Sequence, residues 1–169
     1  VNAGTAIAAL RELGFGRIEA RAAVLEAEWP ARMQRLTHGP LVEAAGGAEL
    51  WLDGGHNPAG GEALAATLAA MARKPTHLVC GMLNTKDVAG YMRPLAAQAQ
   101  SLTAIDIPGE PNTLPATETA RIATAAGLTA RTAPDAATAV RQIVDETPHA
   151  RLLICGSLYL AGHILRAHA

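Results

Sequence analysis

Three polar residues with complementary chemistry occur within five positions of this chain. Asp53, His56 and Asn57 belong to the sequence Asp53-Gly-Gly-His-Asn-Pro58, which follows the apolar run Glu49-Leu-Trp-Leu52 and precedes an alanine-rich, helix-like stretch. This order predicts a strand, a polar turn and a helix. In an open α/β sheet such a turn lies at the carboxyl end of a strand, where ligands bind. A carboxylate, an imidazole and an amide at this place indicate a ligand-binding site.

The same turn also has an explanation without a ligand. Asn57 would cap the helix, Pro58 would occupy its first position, and Asp53 would interact favourably with the positive end of the helix dipole. A turn that only reverses the chain direction does not require His56, however. The ligand-binding interpretation is therefore preferred for this turn.

A second polar residue follows an apolar run near the carboxyl terminus. The sequence Leu152-Leu-Ile-Cys-Gly-Ser-Leu-Tyr-Leu-Ala-Gly162 predicts a strand that delivers Ser157 to the start of a helix. Ser157 is expected to cap that helix, and its hydroxyl could also bond to a ligand carboxylate. Capping alone is the simpler interpretation. Tyr159 falls in an apolar helix, so packing is the expected role of its side chain.

Charged residues provide two weaker candidates. The loop Gly81-Met-Leu-Asn-Thr-Lys-Asp87 follows a third predicted strand and brings Lys86 and Asp87 to the same sheet edge. Surface solvation or a local ion pair would explain these two residues equally well. Trp29-Pro-Ala-Arg32 presents a guanidinium whose planar fork suits phosphate oxygens, and Arg35 could serve as well.

Alternating apolar runs and helical patterns place these residues in an α/β fold. Strands are predicted near 49–53, 76–81, 101–107, 128–132 and 151–156, and helices near 58–73, 86–99, 115–126, 134–146 and 157–168. The alternation predicts an open, mostly parallel sheet with helices on both faces. Upstream, we expect a helix over 17–28, a loop over 29–47 that bears a short strand around Arg35-Leu36, and a hairpin turn at Gly46-Gly47 that leads into strand 49–53.

Composition restricts the class of protein. Half of the residues are hydrophobic but only 3% are aromatic, so alanine and leucine must form most of the core. The formal net charge of −1 argues against broad attraction to nucleic acid or to an anionic membrane. No apolar run reaches the roughly 18 residues of a membrane span, and no segment resembles a signal peptide. We therefore expect neither nucleic acid nor a membrane as a partner.

The two cysteines are predicted to be buried at strand ends. Cys80 and Cys155 each end an apolar run and precede a glycine. Their separation is not a zinc-ligand spacing, and a disulfide would depend on geometry that the sequence does not supply. Free buried thiols are expected, which suits a reducing cytoplasm.

Three of these motifs together resemble the carboxyl-terminal domain of folylpolyglutamate synthase, often a bifunctional dihydrofolate synthase, in the Mur ligase superfamily. Asp53-Gly-Gly-His-Asn-Pro58 is similar to the family pattern Asp-x-Ala-His-Asn-Pro, with Gly55 in place of alanine. Cys155-Gly-Ser-Leu-Tyr-Leu-Ala-Gly162 resembles its Cys-Gly-Ser-Leu-Tyr-x-x-Gly sequence, and Gly81 to Asp87 resembles its Gly-Met-Leu-x-x-Lys-Asp loop. The resemblance implies the Rossmann-like α/β fold of a Mur ligase carboxyl-terminal domain.

Two upstream segments resemble the family more loosely. Trp29-Pro-Ala-Arg32 is similar to its Trp/Phe-Pro-Gly-Arg element, with Ala31 in place of the turn glycine. The segment 2–10 looks like the Asn-Ala-rich helix that ends the family's central ATPase domain. The implied organisation is the end of that domain over 1–14, a linker with a short helix and a phosphate-contacting loop over 15–48, and the glutamate ligase carboxyl-terminal domain over 49–169.

The resemblance implies ATP-dependent amide formation. A folate or dihydropteroate carboxylate is activated as an acyl phosphate and then attacked by the amino group of L-glutamate. By this resemblance the residues that contact the nucleotide are Asn2, Arg32 and Asp53, those that contact glutamate are His56 and Ser157, and possible supporting residues are Asn57, Lys86, Asp87 and Tyr159. ATP and Mg²⁺ are implied for the full-length enzyme. Its metal ligands are expected in the ATPase domain, so tight binding of neither is expected here.

The 169 residues contain no Gly-x-x-x-x-Gly-Lys-Ser/Thr phosphate loop, and they begin inside a predicted helix. We therefore expect a piece of a longer cytoplasmic enzyme that needs an amino-terminal ATPase domain as its partner and does not ligate alone.

Two alternatives stay open. One is a non-catalytic Rossmann-like module that binds a nucleotide or metabolite, since fold does not determine chemistry. The other is a peptidoglycan-type Mur ligase domain, against which the Cys155 to Gly162 sequence weighs.

Overall fold

The computed structural model describes residues 2–27 and 29–168, which divide into two compact units at Pro30 and Ala31. The first unit contains the helices α1 (Asn2–Glu12) and α2 (Arg17–Leu25). The helix expected over 17–28 is observed as α2, and residue 28 lies outside the described residues. The side chain of Asn2 also lies outside the described part, so its nucleotide contact stays a prediction.

The second unit is built on a six-stranded sheet. Its strands are β1 (Gln34–Leu36), β2 (Glu49–Leu52), β3 (Thr76–Cys80), β4 (Ser101–Ala104), β5 (Ala130–Thr132) and β6 (Arg151–Cys155), in the spatial order β1-β2-β6-β3-β4-β5. β1 is antiparallel to β2, and the other neighbouring pairs are parallel. The predicted open, mostly parallel sheet and the short first strand are confirmed.

Helices connect the strands of the second unit. They are α3 (Pro40–Ala45), α4 (Pro58–Ala70), α5 (Val88–Met92), α6 (Ala116–Ala125), α7 (Ala136–Glu146) and α8 (Leu158–Ala167). α5 is shorter than the predicted helix over 86–99 because it passes into a 3₁₀ turn over Arg93–Leu95. Pro94 has no N–H with which to extend the α-helical hydrogen bonds.

The predicted loop over 29–47 and its hairpin turn at Gly46-Gly47 are wrong. The helix α3 lies between β1 and β2, and Gly46 ends it with a φ of 58°. Glycine adopts this left-handed conformation without the steric cost that a Cβ adds. Gly46 therefore terminates a helix, and residues 31–48 contribute both a strand and a helix to the second unit.

Apolar cores cover both faces of the sheet. One contains side chains of α3, α7 and α8 together with Val79, Leu152 and Ile154, and the other contains side chains of α4, α5 and α6 together with Leu78 and Leu153. Every residue of β3 and β6 is buried, as expected for central parallel strands. Each fully buried leucine contributes about 2 kcal/mol of burial free energy, so the ends of these strands are held in fixed positions.

Cys80 and Cys155 lie opposite each other in the register of β3 and β6, and both are free and buried. The prediction of free buried thiols is confirmed. A hydrogen bond with Cys155, and then burial, raises the pKa of the Cys80 thiol well above its ordinary value. Cys80 therefore stays protonated and packs as an apolar residue.

Of the helices described, none has the length and apolar character needed to cross a membrane.

Candidate functional site

The carboxyl ends of β2, β6 and β3 lie side by side at one edge of the sheet, because the three strands are parallel neighbours. His56 follows β2, Ser157 follows β6 and Lys86 follows β3. These three residues line one cavity of 140 Å³ together with Leu83, Leu158 and Tyr159. The predicted juxtaposition of His56 and Ser157 is confirmed, whereas their roles stay predictions.

The ring of His56 is half-buried and is oriented by a hydrogen bond inside its own turn. Nδ1 lies 2.9 Å from the carbonyl oxygen of Gly54. Because a carbonyl only accepts, Nδ1 carries the proton and the neutral ring has Nε2 as its acceptor. No described residue bonds to Nε2. This nitrogen can therefore accept a ligand N–H or, when protonated, donate to a carboxylate.

Ser157 caps α8, as predicted. Its Oγ accepts the Tyr159 N–H at 3.1 Å, and the residue is only 2% exposed. The preceding residue, Gly156, lies close to the end of β3: a Cβ there would lie 2.7 Å from the Cys80 Sγ atom, and its φ is 104°. The Ser157 hydroxyl still has its own proton to donate to a ligand.

Asp53 is buried, and both of its carboxylate oxygens accept backbone N–H groups. Oδ1 accepts from Gly55 at 2.7 Å, and Oδ2 accepts from Met33 at 2.9 Å. The first bond orders the turn that carries His56, and the second ties that turn to the loop before β1. Asp53 thus joins two segments that are distant in sequence.

Arg32 is exposed in the loop before β1. Its Nη1 donates to the Ala31 carbonyl oxygen at 3.1 Å, and a Cβ added to Gly54 would lie 2.9 Å from the same nitrogen. The guanidinium therefore lies against the turn after β2, while the rest of its N–H fork makes no hydrogen bond with a described residue. Arg35 is exposed on β1, where it pairs in register with Trp51.

Asn57 and Asp87 are helix caps. Asn57 Oδ1 accepts the Gly60 N–H at 2.8 Å, and Asp87 Oδ1 accepts the Gly90 N–H at 2.9 Å. The capping explanation of Asn57 is confirmed, and the supporting roles of both residues in binding stay predictions. Lys86 is exposed and forms no ion pair within the described residues, so the local pair with Asp87 is not formed.

The expected packing of Tyr159 is wrong. Tyr159 is 60% exposed, and neighbouring Leu158 is 46% exposed. The buried face of α8 consists of Leu160, Ala161 and Ile164, and the helical period places residues 158 and 159 outside it. This period was the signal in the sequence that could have placed Leu158 and Tyr159 at the site. Leu83 carried no comparable signal.

A magnesium site does not fit the described residues. Among them there is no group of three or more His, Cys, Asp or Glu side chains that could hold a metal ion. The Asp53 carboxylate, the most buried acid at this edge, already accepts two N–H groups. Oxygen ligands of the kind that Mg²⁺ prefers are therefore not assembled here.

A family model places this site in a known context. The model for the Mur ligase, glutamate ligase domain matches residues 31–158. The chain belongs to this family. The match begins one residue before Arg32 and extends past Ser157, so it includes every candidate residue of the second unit except Tyr159.

Folylpolyglutamate synthases are among the proteins that the chain resembles. It is 28% identical over 144 residues to the folylpolyglutamate synthase of Lacticaseibacillus casei, a match that covers 85% of this chain and 31% of that protein. E. coli FolC in complex with DHPP and ADP has a TM-score of 0.77 at 24% identity, over 98% of this chain and 38% of that one.

A bifunctional folylpolyglutamate synthase/dihydrofolate synthase with Mn, AMPPNP and L-glutamate bound has a TM-score of 0.70 at 25% identity, over 90% of this chain and 35% of that one. The resemblance to the carboxyl-terminal domain of folylpolyglutamate synthase is confirmed. The chain spans about a third of the length of these relatives.

Proposed function

We propose that the chain is the carboxyl-terminal domain of an ATP-dependent ligase that joins L-glutamate to dihydropteroate, to folates or to both through an acyl phosphate. The observation that carries the proposal is the meeting of His56, Ser157 and Lys86 around one cavity, with Arg32 beside the same turn. Groups that suit phosphate and carboxylate oxygens thus lie together at a sheet edge. The relative with AMPPNP and L-glutamate bound supports this assignment.

Arg32 is proposed to bind the phosphates of ATP, with Asn2 and Asp53 as further nucleotide residues. When a folate carboxylate oxygen attacks the γ-phosphorus, the bond to the β,γ-bridging oxygen breaks and ADP leaves. Arg32 would stabilise the negative charge on the phosphoryl oxygens during this transfer. ATP, Mg²⁺ and the folate substrate would be held mainly by the preceding ATPase domain. Asp53 is only 8% exposed, so little of it is open to a ligand. Its direct contact with the nucleotide stays a prediction.

His56 and Ser157 are proposed to hold the carboxylates of L-glutamate. The protonated His56 ring can donate from Nε2, the Ser157 hydroxyl can donate its proton, and Lys86 supplies a positive charge. The start of α8 adds the positive end of its dipole. Glutamate held in this way presents its amine to the acyl phosphate, and phosphate leaves as the amide bond forms. Asn57, Asp87 and Tyr159 would support this geometry.

The test uses the full-length enzyme with His56→Ala, compared with His149→Ala. His149 is an exposed histidine before the opposite end of β6 and serves as the matched control. Loss of a hydrogen bond to a charged substrate should raise the KM for glutamate by roughly tenfold or more, with the KM for ATP nearly unchanged. ADP formation is measured with dihydropteroate and with a reduced folate while glutamate and ATP are varied.

An unchanged glutamate KM in His56→Ala would contradict the proposed glutamate site. Binding of a nucleotide without turnover of either acceptor would favour the non-catalytic module instead. Turnover only with a nucleotide-linked peptidoglycan precursor would favour the other Mur ligase class. Turnover with dihydropteroate, with reduced folate or with both identifies the acceptor carboxylate.

A further inference from the structure

The pairing of β1 with β2 continues beyond the ends of the two strands through the Asp53 side chain. The last register pair at this end is Gln34 with Leu52, so Met33 lies opposite Asp53. The Asp53 carboxylate accepts the Met33 N–H at 2.9 Å, and the Gly54 N–H donates to the Ala31 carbonyl oxygen at 2.8 Å. Two hydrogen bonds therefore hold the Arg32 loop on the turn after β2.

The Arg32 loop needs such an anchor because its backbone is unfavourable. Ala31 has a φ of 56° and Met33 a φ of 41°, so the residues on both sides of Arg32 are left-handed. Each such conformation costs roughly 1–2 kcal/mol for a residue with a Cβ and persists only where neighbouring contacts enforce it. The bond from Met33 to Asp53 is one of these contacts.

The same carboxylate orders the other side of the site. Asp53 Oδ1 accepts the Gly55 N–H at 2.7 Å, and the next residue is His56, whose Nδ1 bonds to the Gly54 carbonyl oxygen at 2.9 Å. A carboxylate can accept both N–H groups at once because each of its oxygens has free lone pairs. One buried side chain therefore fixes the loop that carries Arg32 and the turn that carries His56.

We infer that Asp53 is a positioning residue that couples the Arg32 loop to the His56 turn, so that phosphate-binding and glutamate-binding groups take up their geometry together. The inference rests on the proposed function. It adds an action through its neighbours to the nucleotide contact proposed above for Asp53. Only the action through neighbours links Asp53 to glutamate binding, and only that action is lost for ATP binding when Arg32 is already absent.

The experiment is a double-mutant cycle in the full-length enzyme with Asp53→Ala, Arg32→Ala and the double variant. Asp53→Ala should raise the KM for ATP and the KM for glutamate by roughly tenfold each, whereas Arg32→Ala should affect mainly the ATP step. In the Arg32→Ala background, Asp53→Ala should raise the KM for ATP by a clearly smaller factor than in the parent enzyme and still raise the glutamate KM by roughly tenfold. Thermal melting of each variant checks that it is folded.

If Asp53→Ala does not fold, the two KM values are measured with Asp53→Asn instead. Its single carbonyl oxygen can replace only one of the two acceptors, so only one of the two KM values should rise strongly. Asp106→Ala is the matched control, because Asp106 also accepts a backbone N–H, from Ala116 at 2.7 Å, but lies after β4. It should leave both KM values within about twofold of the parent.

Full additivity of Asp53→Ala and Arg32→Ala on the ATP dependence would overturn the coupling and favour a direct nucleotide contact. An Asp53→Ala enzyme with both KM values unchanged would overturn it as well. Failure of the proposed function looks different, because Arg32→Ala and His56→Ala would then each leave substrate dependence unchanged. The two failures are therefore distinguishable.

Discussion

Single residues at the candidate site serve the fold and still have groups available for the proposed chemistry. Ser157 closes the first turn of α8 with its oxygen and retains a hydroxyl proton for a ligand. His56 uses Nδ1 within its turn and leaves Nε2 free of described partners. Substitutions at these positions can therefore alter stability and substrate dependence together, and a useful variant must separate the two effects.

Ser157→Gly should separate them. Glycine is tolerated at an N-cap with a loss of only a few tenths of a kcal/mol, whereas alanine costs about 1 kcal/mol. Both variants lack the hydroxyl, so both should raise the glutamate KM of the full-length enzyme by roughly tenfold. Urea denaturation should show that only Ser157→Ala is clearly destabilised. If the glutamate KM rises only in the destabilised variant, capping is the whole role of Ser157.

At the scale of elements, the junction between β6 and α8 determines where Ser157 lies. Gly156 adopts a φ of 104°, and a Cβ there would lie 2.7 Å from Cys80 Sγ, the Gly81 carbonyl oxygen and Met82 Sδ. Both the backbone conformation and the close approach to β3 therefore require glycine. The turn after β3 and the turn after β6 can lie together at the sheet edge because this side chain is absent.

Gly156→Ala is expected to destabilise the fold by about 2–5 kcal/mol, because backbone strain adds to overpacking against β3. Gly109→Ala is the matched control, since Gly109 has a φ of 71° but nothing lies within 4 Å of an added Cβ. It should cost only the conformational part, about 1–2 kcal/mol. The free energy of unfolding in urea measures both. Equal losses in the two variants would contradict the importance of the close packing.

At the scale of the whole molecule, the two edges of the sheet differ in how their charges are paired. At the amino-terminal edge, Glu49 accepts from Lys74 at 2.7 Å and from buried Arg151 at 3.4 Å. The hydrogen bond from Lys74 is the main cause of the lowered pKa of Glu49. At the carboxyl edge, Arg32 and Lys86 form no ion pair with a described residue. The carboxyl edge thus presents two cationic side chains that have no ion-pair partner among the described residues and can pair with an anionic ligand.

A buried histidine should make stability depend on pH. His77 bonds through Nδ1 to Ser101 Oγ at 2.8 Å, and burial, together with nearby Arg131, lowers its pKa below 6.5 although Glu146 opposes the shift. The unfolded chain therefore binds this proton first, and stability should fall as pH decreases from about 6.5 through the lowered pKa. Urea midpoints between pH 7.5 and 5 should fall less steeply for His77→Gln than for the parent chain.

The range above pH 5 lies above the ordinary Glu49 pKa of 4.5, so protonation of Glu49 contributes little there. His149→Gln, at an exposed position, should leave the slope unchanged. An equal slope in His77→Gln and the parent would show that another group binds the proton.

Chain 1–169 alone should show no glutamate-dependent ATPase activity, because its 169 residues contain no phosphate loop to hold the triphosphate. The full-length enzyme assayed under the same conditions is the positive control. The measurement is ADP formation with ATP, Mg²⁺, glutamate and dihydropteroate or reduced folate present. Sustained turnover by chain 1–169 would contradict the assignment of the phosphate site to another domain.

Much of the architecture could be predicted from local sequence pattern. Apolar runs of strand length alternate with helical stretches, and from β2 onward the strands and helices formed near where this alternation placed them, with α5 shorter than predicted. The caps Asn57 and Ser157 were recognisable because each follows a strand and immediately precedes a helix. A parallel sheet then required His56 and Ser157 to share an edge. These features depend on neighbours in the sequence or on topology alone.

Tertiary structure decided what local pattern could not. The Met33–Asp53 bond joins residues 20 positions apart, and Arg32 lies beside Gly54 only because β1 pairs with β2. The helix α3 in place of a hairpin was likewise settled by packing, because Leu41 and Ala45 of this helix are buried in a core formed with distant elements. The sequence by itself determined which chemical groups reach the sheet edge. Long-range contacts determined how those groups are oriented, because such contacts arise only when distant segments pack together.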